Sequence, residues 1–362
     1  MSEVSVDPAR QPLKLLIVRL GSMGDIIHAL PAVAALRDAF PEATLGWIVE
    51  ERWAELLCTL QEPRSGPRSA RRPIVDRIHT VNTRLWRRSL SSAQTWEQIA
   101  SGLSDLRAPQ YQFAVDFQGA VRSALLSRWS GAPVIYGFAQ PRENVASMFY
   151  THQVMARGFH VVEQNISLAE AFARRSLPIR KTAFPHDEAA EKKIEDRLRE
   201  EEIRDFVILN PGAGWGAKQW PAERYGHVAK RLAKDGVKAL INYGPGEEAL
   251  AQAAESASGE TARRISCSIA ELTALTRRAR LFIGGDTGPM HLAAALGIPV
   301  VALFGPTDPG RNGPFGTRNV VWRSPLSPTT LSHRAAPDPG LLSIGPDQVV
   351  AAARQLLGIC RG

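Results

Sequence analysis

The sequence predicts an α/β protein of two similar doubly wound halves facing a cleft. Three observations lead there. Short apolar runs of the kind that fill buried parallel strands alternate with helical patterns; two of these runs open directly into a glycine turn and a helix; and the alternation is interrupted once, across residues 177–204, by prolines and a charge-dense stretch.

The first series begins with a buried-type strand at 14–19, the turn Leu20-Gly21-Ser22-Met23-Gly24-Asp25 and a helical pattern over 26–40. Strands follow at 44–49 and 113–117, with a helix at 91–106 and an exposed loop at 61–72 between them. The second series runs through a strand at 206–210, a helix at 222–234, a strand at 239–243 and helices near 247–256 and 270–278. Leu281-Phe282-Ile283 then feeds Gly284-Gly285-Asp286-Thr287-Gly288, with Pro289 suited to the first helical position and Gly297 stopping the helix before a strand at 298–304. That is one βαβ unit. Residues 323–344 read as irregular, and Pro346 opens a closing helix over 349–357. The boundaries expected are 1–180 for the first domain, 181–204 for the interdomain connection, 205–345 for the second domain and 346–362 for a C-terminal helix.

Composition narrows the class. The 362 residues, 44% hydrophobic and 22% charged, suit two soluble domains. No run of eighteen apolar residues occurs, and residues 1–11 lack the blocks of a signal peptide, so a cytoplasmic location is expected. Cys58, Cys267 and Cys360 form neither a disulfide set nor a metal spacing. The net charge of +8 is uneven: residues 63–90 hold eight arginines and one acid. An anionic partner, a membrane surface or simple solvation would each suit that stretch; nucleic acid is not expected, because no recognition helix, zinc spacing or ribonucleoprotein aromatic motif accompanies it.

Two turns carry the chemistry. The first N–H groups of the helix after Asp286 form an anion site, but a carboxylate there repels a diphosphate unless a hydroxyl, a cation or backbone donors engage it. A nucleotide sugar supplies both phosphates and hydroxyls; the plainer alternative is a tight turn capped by Asp286. The glycines of Gly21-Ser22-Met23-Gly24-Asp25 are spaced G-x-x-G, which weakens a dinucleotide reading. The same helix start suits an ionised base, so Asp25 either accepts a proton from an attacking hydroxyl or merely caps the helix.

The stretch from Leu16 to Ala32, Gly285-Asp286-Thr287-Gly288-Pro289-Met290-His291-Leu292 and Leu303-Phe304-Gly305-Pro306-Thr307-Asp308-Pro309 resemble the signatures of glycosyltransferase family 9, the lipopolysaccharide heptosyltransferases. The type I enzymes are the nearer match, through Trp47-Ile48-Val49-Glu50-Glu51, Arg84-Leu85-Trp86-Arg87-Arg88, Asp116-Phe117-Gln118-Gly119 and residues 142–150. The resemblance implies the GT-B fold, with acceptor on the first domain and donor mainly on the second, and an inverting, metal-independent transfer of heptose from ADP-heptose to a Kdo residue of the lipid A core. No cofactor is implied.

By that resemblance Asp25 is the catalytic base, Lys218 meets donor phosphate, and Asp286, Thr287, Gly288 and His291 bind the donor. Either Glu247 or Glu248 is the counterpart of the ribose-binding glutamate. Ser22, Met23, Gly24, Arg84, Arg87, Arg88, Gln118 and Arg142 fall on the acceptor side. Displacement at the anomeric carbon needs an activated hydroxyl on one face and a stabilised diphosphate on the other, roles these groups fit. Taken alone, Lys218 reads as a surface lysine and His291 equally as a helix-packing residue. A monomer at the anionic inner face of the inner membrane is expected. The alternatives are another nucleotide sugar or a later core acceptor within the family, or an NAD-dependent oxidoreductase.

Overall fold

A computed structural model describes residues 12–89, 91–330 and 334–359. The reading of residues 1–11 and Cys360 lie outside that range. The chain divides into two compact units, the first running to Gly158 and resuming over Val162–Pro185, the second comprising Phe159–Val161 and the chain from His186 onward.

The first unit holds β1 (Lys14–Val18), α1 (Met23–Ala39), β2 (Thr44–Glu50), β3 (Arg77–Val81), α2 (Thr83–Arg88), α3 (Ala93–Arg107), β4 (Phe113–Asp116), α4 (Val121–Trp129), β5 (Val134–Phe138), β6 (His152–Val154) and α5 (Val161–Ala173), whose first residue falls in the second unit. The second holds α6 (Glu188–Glu200), β7 (Phe206–Asn210), α7 (Ala222–Ala233), β8 (Lys238–Tyr243), α8 (Glu248–Ala257), β9 (Ala262–Ser266), α9 (Ile269–Arg278), β10 (Leu281–Gly285), α10 (Gly288–Ala295), β11 (Val300–Phe304), α11 (Pro309–Asn312), β12 (Asn319–Arg323), α12 (Pro339–Leu342) and α13 (Pro346–Leu357). Each unit carries one six-stranded, all-parallel sheet, in the orders β3-β2-β1-β4-β5-β6 and β12-β11-β10-β7-β8-β9. Both therefore follow the doubly wound order 3-2-1-4-5-6, in which ligands bind where the winding reverses, at the carboxyl ends of β1 and β4 and of β7 and β10.

The central strands are apolar throughout because helices cover both faces: Leu15, Leu16, Ile17 and Val18 in β1, and Leu281, Phe282 and Ile283 in β10, are wholly buried. Close packing on these sheets needs glycine at particular strand positions. A methyl at Gly46 in β2 would overlap the Tyr111 hydroxyl, and one at Gly137 in β5 the Tyr150 ring.

Two expected boundaries move. Residues 181–204 are not all connection, because α6 presents Ala190, Ile194 and Leu198 at four-residue intervals to the core of the second unit, and Glu191 accepts from Arg277 and Arg278 of α9. Its charged face had hidden that stripe. The closing helix is likewise no appendage: Val349, Val350, Ala352 and Ala353 of α13 belong to the same unit's core. The helix expected from residue 26 begins at Met23, so Asp25 lies within its first turn. The loop at 61–72 is mostly exposed as expected, except that Arg72 is buried and donates to the carbonyl oxygens of Pro63, Pro67 and Val75.

Candidate active site

In the first unit β1 delivers the chain to Arg19, and α1 starts four residues later. Ser22 is the N-cap of α1 and Asp25 its third residue, so the Asp25 carboxylate folds back to accept the Ser22 N–H at 2.9 Å and its hydroxyl at 3.0 Å. Its other oxygen pairs with the Arg19 guanidinium at 2.7 Å. Burial of the carboxyl works to raise its pKa, but Arg19, the Ser22 donors and the charge of Arg142 together hold it below the usual carboxylate range. Asp25 is thus ionised, half-buried and fixed in orientation.

The turn before it is held from several sides. Gln118 gives its amide oxygen to the Leu20 N–H at 2.7 Å, Trp47 donates its indole N–H to the Arg19 carbonyl at 3.0 Å, and Arg19 donates to the Phe117 carbonyl. Asp116, wholly buried at the end of β4, accepts from the Gln118 and Gly119 N–H groups and from the Ser123 and Tyr150 hydroxyls. Burial pushes its carboxyl up.

Not every residue expected on the acceptor side faces outward. Ser22 and Arg142 are exposed, as is Arg88 on α2. Met23 is buried in the core and Gly24 has no side chain, so both can offer a ligand only backbone. Gln118 is buried, and its amide oxygen accepts the Leu20 N–H, so it helps position the turn before α1. The side chains of Arg84 and Arg87 lie outside the described residues. Of the other arginines, Arg72 is internal, Arg77 pairs with Asp105, and Arg64 and Arg68 lie 3.6 and 3.7 Å from Glu51 and Asp76. Internal pairing therefore takes up much of the positive stretch.

In the second unit β10 delivers Asp286 and α10 begins at Gly288 with Pro289 in its first turn. Lys218 donates to one Asp286 oxygen at 2.5 Å and His291 Nε2 lies 3.1 Å from the other. Of the partners open to Asp286 in the sequence, the structure selects a cation and an imidazole. Burial alone would raise the Asp286 carboxyl, but His291 and Lys218 override it and hold the carboxyl far below its ordinary value. Thr287 is the N-cap by backbone position, its hydroxyl turned to the Gly285 carbonyl at 3.3 Å.

Lys218 sits on a single turn, Gly216–Lys218, with its ammonium 4.2 Å from the centre of the Trp215 ring. A strap from the C-terminal region seats this turn: Ala217 donates to the Arg334 carbonyl and accepts from the Asp338 N–H. Gly216 is obligatory there, since a methyl would overlap the Ala335 carbonyl. Glu247 and Glu248, which the sequence leaves open, differ in placement. Glu247 is half-buried, accepts the Gly244 N–H at 2.8 Å and lies where a side chain on Gly212 would be, at the ends of β7 and β8. Glu248 is exposed, reaching only the Gly246 N–H at 3.2 Å.

Sequence reasoning assigned no role to Arg19, Trp215 or the 334–338 strap. A cation directly after a buried strand was the one available signal, for Arg19; the strap has none, because it is remote in sequence from Lys218. Among the described residues no cluster of three or more His, Cys, Asp or Glu side chains has metal-holding geometry, and no helix is long and apolar enough to cross a membrane.

Two Rossmann-like units, each with its polar cluster where the winding reverses, are the units of a GT-B glycosyltransferase. The E. coli heptosyltransferase WaaC with ADP is similar at TM-score 0.75 and 26% identity, over 95% of this chain and 100% of that one. A second WaaC structure, with ADP-2-deoxy-2-fluoro heptose, is similar at TM-score 0.72 over 96% of this chain and 99% of that one, again at 26% identity. The family model for glycosyltransferase family 9 (heptosyltransferase) matches residues 100–338. Lipopolysaccharide heptosyltransferase 1 of Pseudomonas aeruginosa PAO1 is 30% identical over 323 residues, which are 85% of this chain and 83% of that protein. Its namesake from Escherichia coli K12 is 29% identical over 317 residues, 86% and 94% of the respective chains. This chain belongs to glycosyltransferase family 9, a family of transferases, and the oxidoreductase alternative falls away.

Proposed function

We propose that this enzyme transfers heptose from ADP-heptose to a Kdo residue of the lipid A inner core, with inversion and without a metal ion, as a cytoplasmic monomer at the anionic face of the inner membrane. The observation that carries the reading is the pair of opposite electrostatic arrangements at the two reversal points: a fixed, ionised carboxylate in one unit and a lysine held on a carboxylate in the other. The acceptor hydroxyl oxygen attacks the anomeric carbon, the bond from that carbon to the diphosphate oxygen breaks, ADP leaves with the electron pair, and Asp25 takes the hydroxyl proton. Lys218 and the first N–H groups of α10 meet the developing diphosphate charge, the part a divalent ion plays in other transferases. Asp286 holds Lys218 and is spared from repelling the phosphates because the ammonium stands between them. Glu247, rather than Glu248, takes the ribose, supported by its place at the ends of β7 and β8.

The test is ADP release from purified enzyme with ADP-heptose and Kdo-lipid A in the presence of a chelator. Activity is expected to persist there, and Asp25→Ala is expected to lower kcat on the order of a hundred- to ten-thousand-fold while ADP affinity stays unchanged. Full turnover by that variant removes Asp25 from the reaction; loss of activity with chelator restores a metal.

A further inference from the structure

Along β7, Phe206 and Ile208 pack in one apolar cluster and Val207 and Leu209 in another, so the strand is apolar on both faces. Its last position breaks the pattern. Asn210 ends β7 on the side of Phe206 and Ile208, and Asn242 lies beside it in β8, by the register that pairs Leu209 with Ile241, on the same side as Leu240. The two side chains are 3% and 5% exposed. Buried amides next to an apolar layer are costly unless their groups are hydrogen-bonded.

Their bonds lead out of the sheet. Asn242 donates its amide N–H to the Asn210 amide oxygen at 2.7 Å, and Asn210 donates its own to the Gly212 carbonyl oxygen at 3.1 Å. The direction is fixed from the far end: the Gly212 carbonyl can only accept, so Asn210 turns its nitrogen to it and its oxygen to Asn242. Gly284, the partner of Asn210 in β10, gives clearance, since a methyl there would stand 3.3 Å from the Asn210 Cβ. At the outlet of this chain the Glu247 carboxylate occupies the place of a Gly212 side chain, its oxygens 2.1 and 2.2 Å from where that Cβ would be. The same loop runs on to the Gly216–Lys218 turn.

We infer that Asn210 and Asn242 are positioning residues for donor binding: their amide chain sets Gly212, and through it the Glu247 carboxylate and the loop that carries Lys218. The inference rests on the donor site proposed for this unit.

Asn210→Asp tests it, read by calorimetric titration with ADP. Protonated, the new carboxyl reproduces the amide, its carbonyl accepting from Asn242 and its O–H donating to Gly212; ionised, it has no donor and turns negative charge on the Gly212 carbonyl. Burial and the charge of Glu247 push that carboxyl up, while Asp286, two residues past Gly284, is already matched by Lys218 and His291. The Kd for ADP, divided by that of the wild type at the same pH, is expected to be within about twofold at about pH 5.5 and about tenfold weaker at about pH 8.5. A purely structural role would lower the fraction of protein that binds, seen as stoichiometry, and leave the Kd ratio independent of pH; that result overturns the inference. Asn242→Leu leaves the Asn210 amide free to turn, and about threefold weaker ADP binding is expected. Wild-type affinity in that variant overturns the inference equally. Unchanged ADP affinity in both Lys218→Ala and Glu247→Ala overturns the donor site itself, whereas losses in those two with a pH-independent ratio in Asn210→Asp overturn the amide chain alone.

Discussion

Asp25 is kept ionised by a neighbouring side chain more than by its helix. The first turn of α1 contributes the Ser22 N–H, but Arg19 supplies the full opposite charge at 2.7 Å. Replacing Arg19 by Met removes that charge, so the Asp25 pKa rises, and the acid limb of the kcat/KM profile is expected to move to higher pH than in the wild type. Identical limbs would show that Arg19 does not govern the base. Asp286 gives a second residue-scale test, on stability. Its folded-state pKa is depressed, so its contribution is present above the unfolded carboxylate value near pH ~4 and is lost as pH falls toward the lower folded value. Asp286→Asn is therefore expected to be less stable than wild type at neutral pH, with the gap closing in strong acid; urea unfolding at several pH values measures it.

At the scale of elements, glycines decide how closely segments approach. Gly226 in α7 lies against α8, where a methyl would stand 2.2 Å from the Ala254 carbonyl oxygen. Gly226→Ala must push the helices apart and is expected to cost about 1–3 kcal/mol, read as a lowered Tm. Gly216→Ala acts differently, because the Ala335 backbone it would strike belongs to the strap that seats Lys218. ADP affinity is expected to fall by roughly tenfold, the scale of one displaced charged hydrogen bond, in calorimetric titration. Normal ADP affinity in that variant would separate the strap from the donor site. Such contacts were illegible in the sequence: no local pattern marks the glycines at 216 and 226 as needed for clearance.

For the whole molecule, each unit has its own sheet and core, and Lys218, Glu247, Asp286 and His291, the groups proposed to bind the donor, all belong to the second. ADP at a hundred times its Kd should stabilise the unit that binds it by about 2.7 kcal/mol. In scanning calorimetry that shift is expected in the transition of the second unit and to disappear in Lys218→Ala. A shift that survives in Lys218→Ala would place the phosphate elsewhere. The two-unit organisation was legible because buried parallel strands are continuous apolar runs, as at 14–18, 206–210, 281–285 and 300–304. The outer strands β3, β5, β6, β9 and β12 were not: most are half-polar, and their pairing comes from the neighbour already in place.

What the sequence by itself determined is the alternation of elements, the two reversal-point turns and the residue types they carry, since each depends on local periodicity, helix-start chemistry and an ordered set of motifs. Only the tertiary structure decided which of those residues meet. Lys218 finds Asp286 across 68 positions of chain and Gln118 finds Leu20 across 98, distances over which no local pattern carries information. Burial then separates residues that look alike in one dimension, leaving Arg142 outside and Arg72 within, Glu247 against a glycine and Glu248 in solvent.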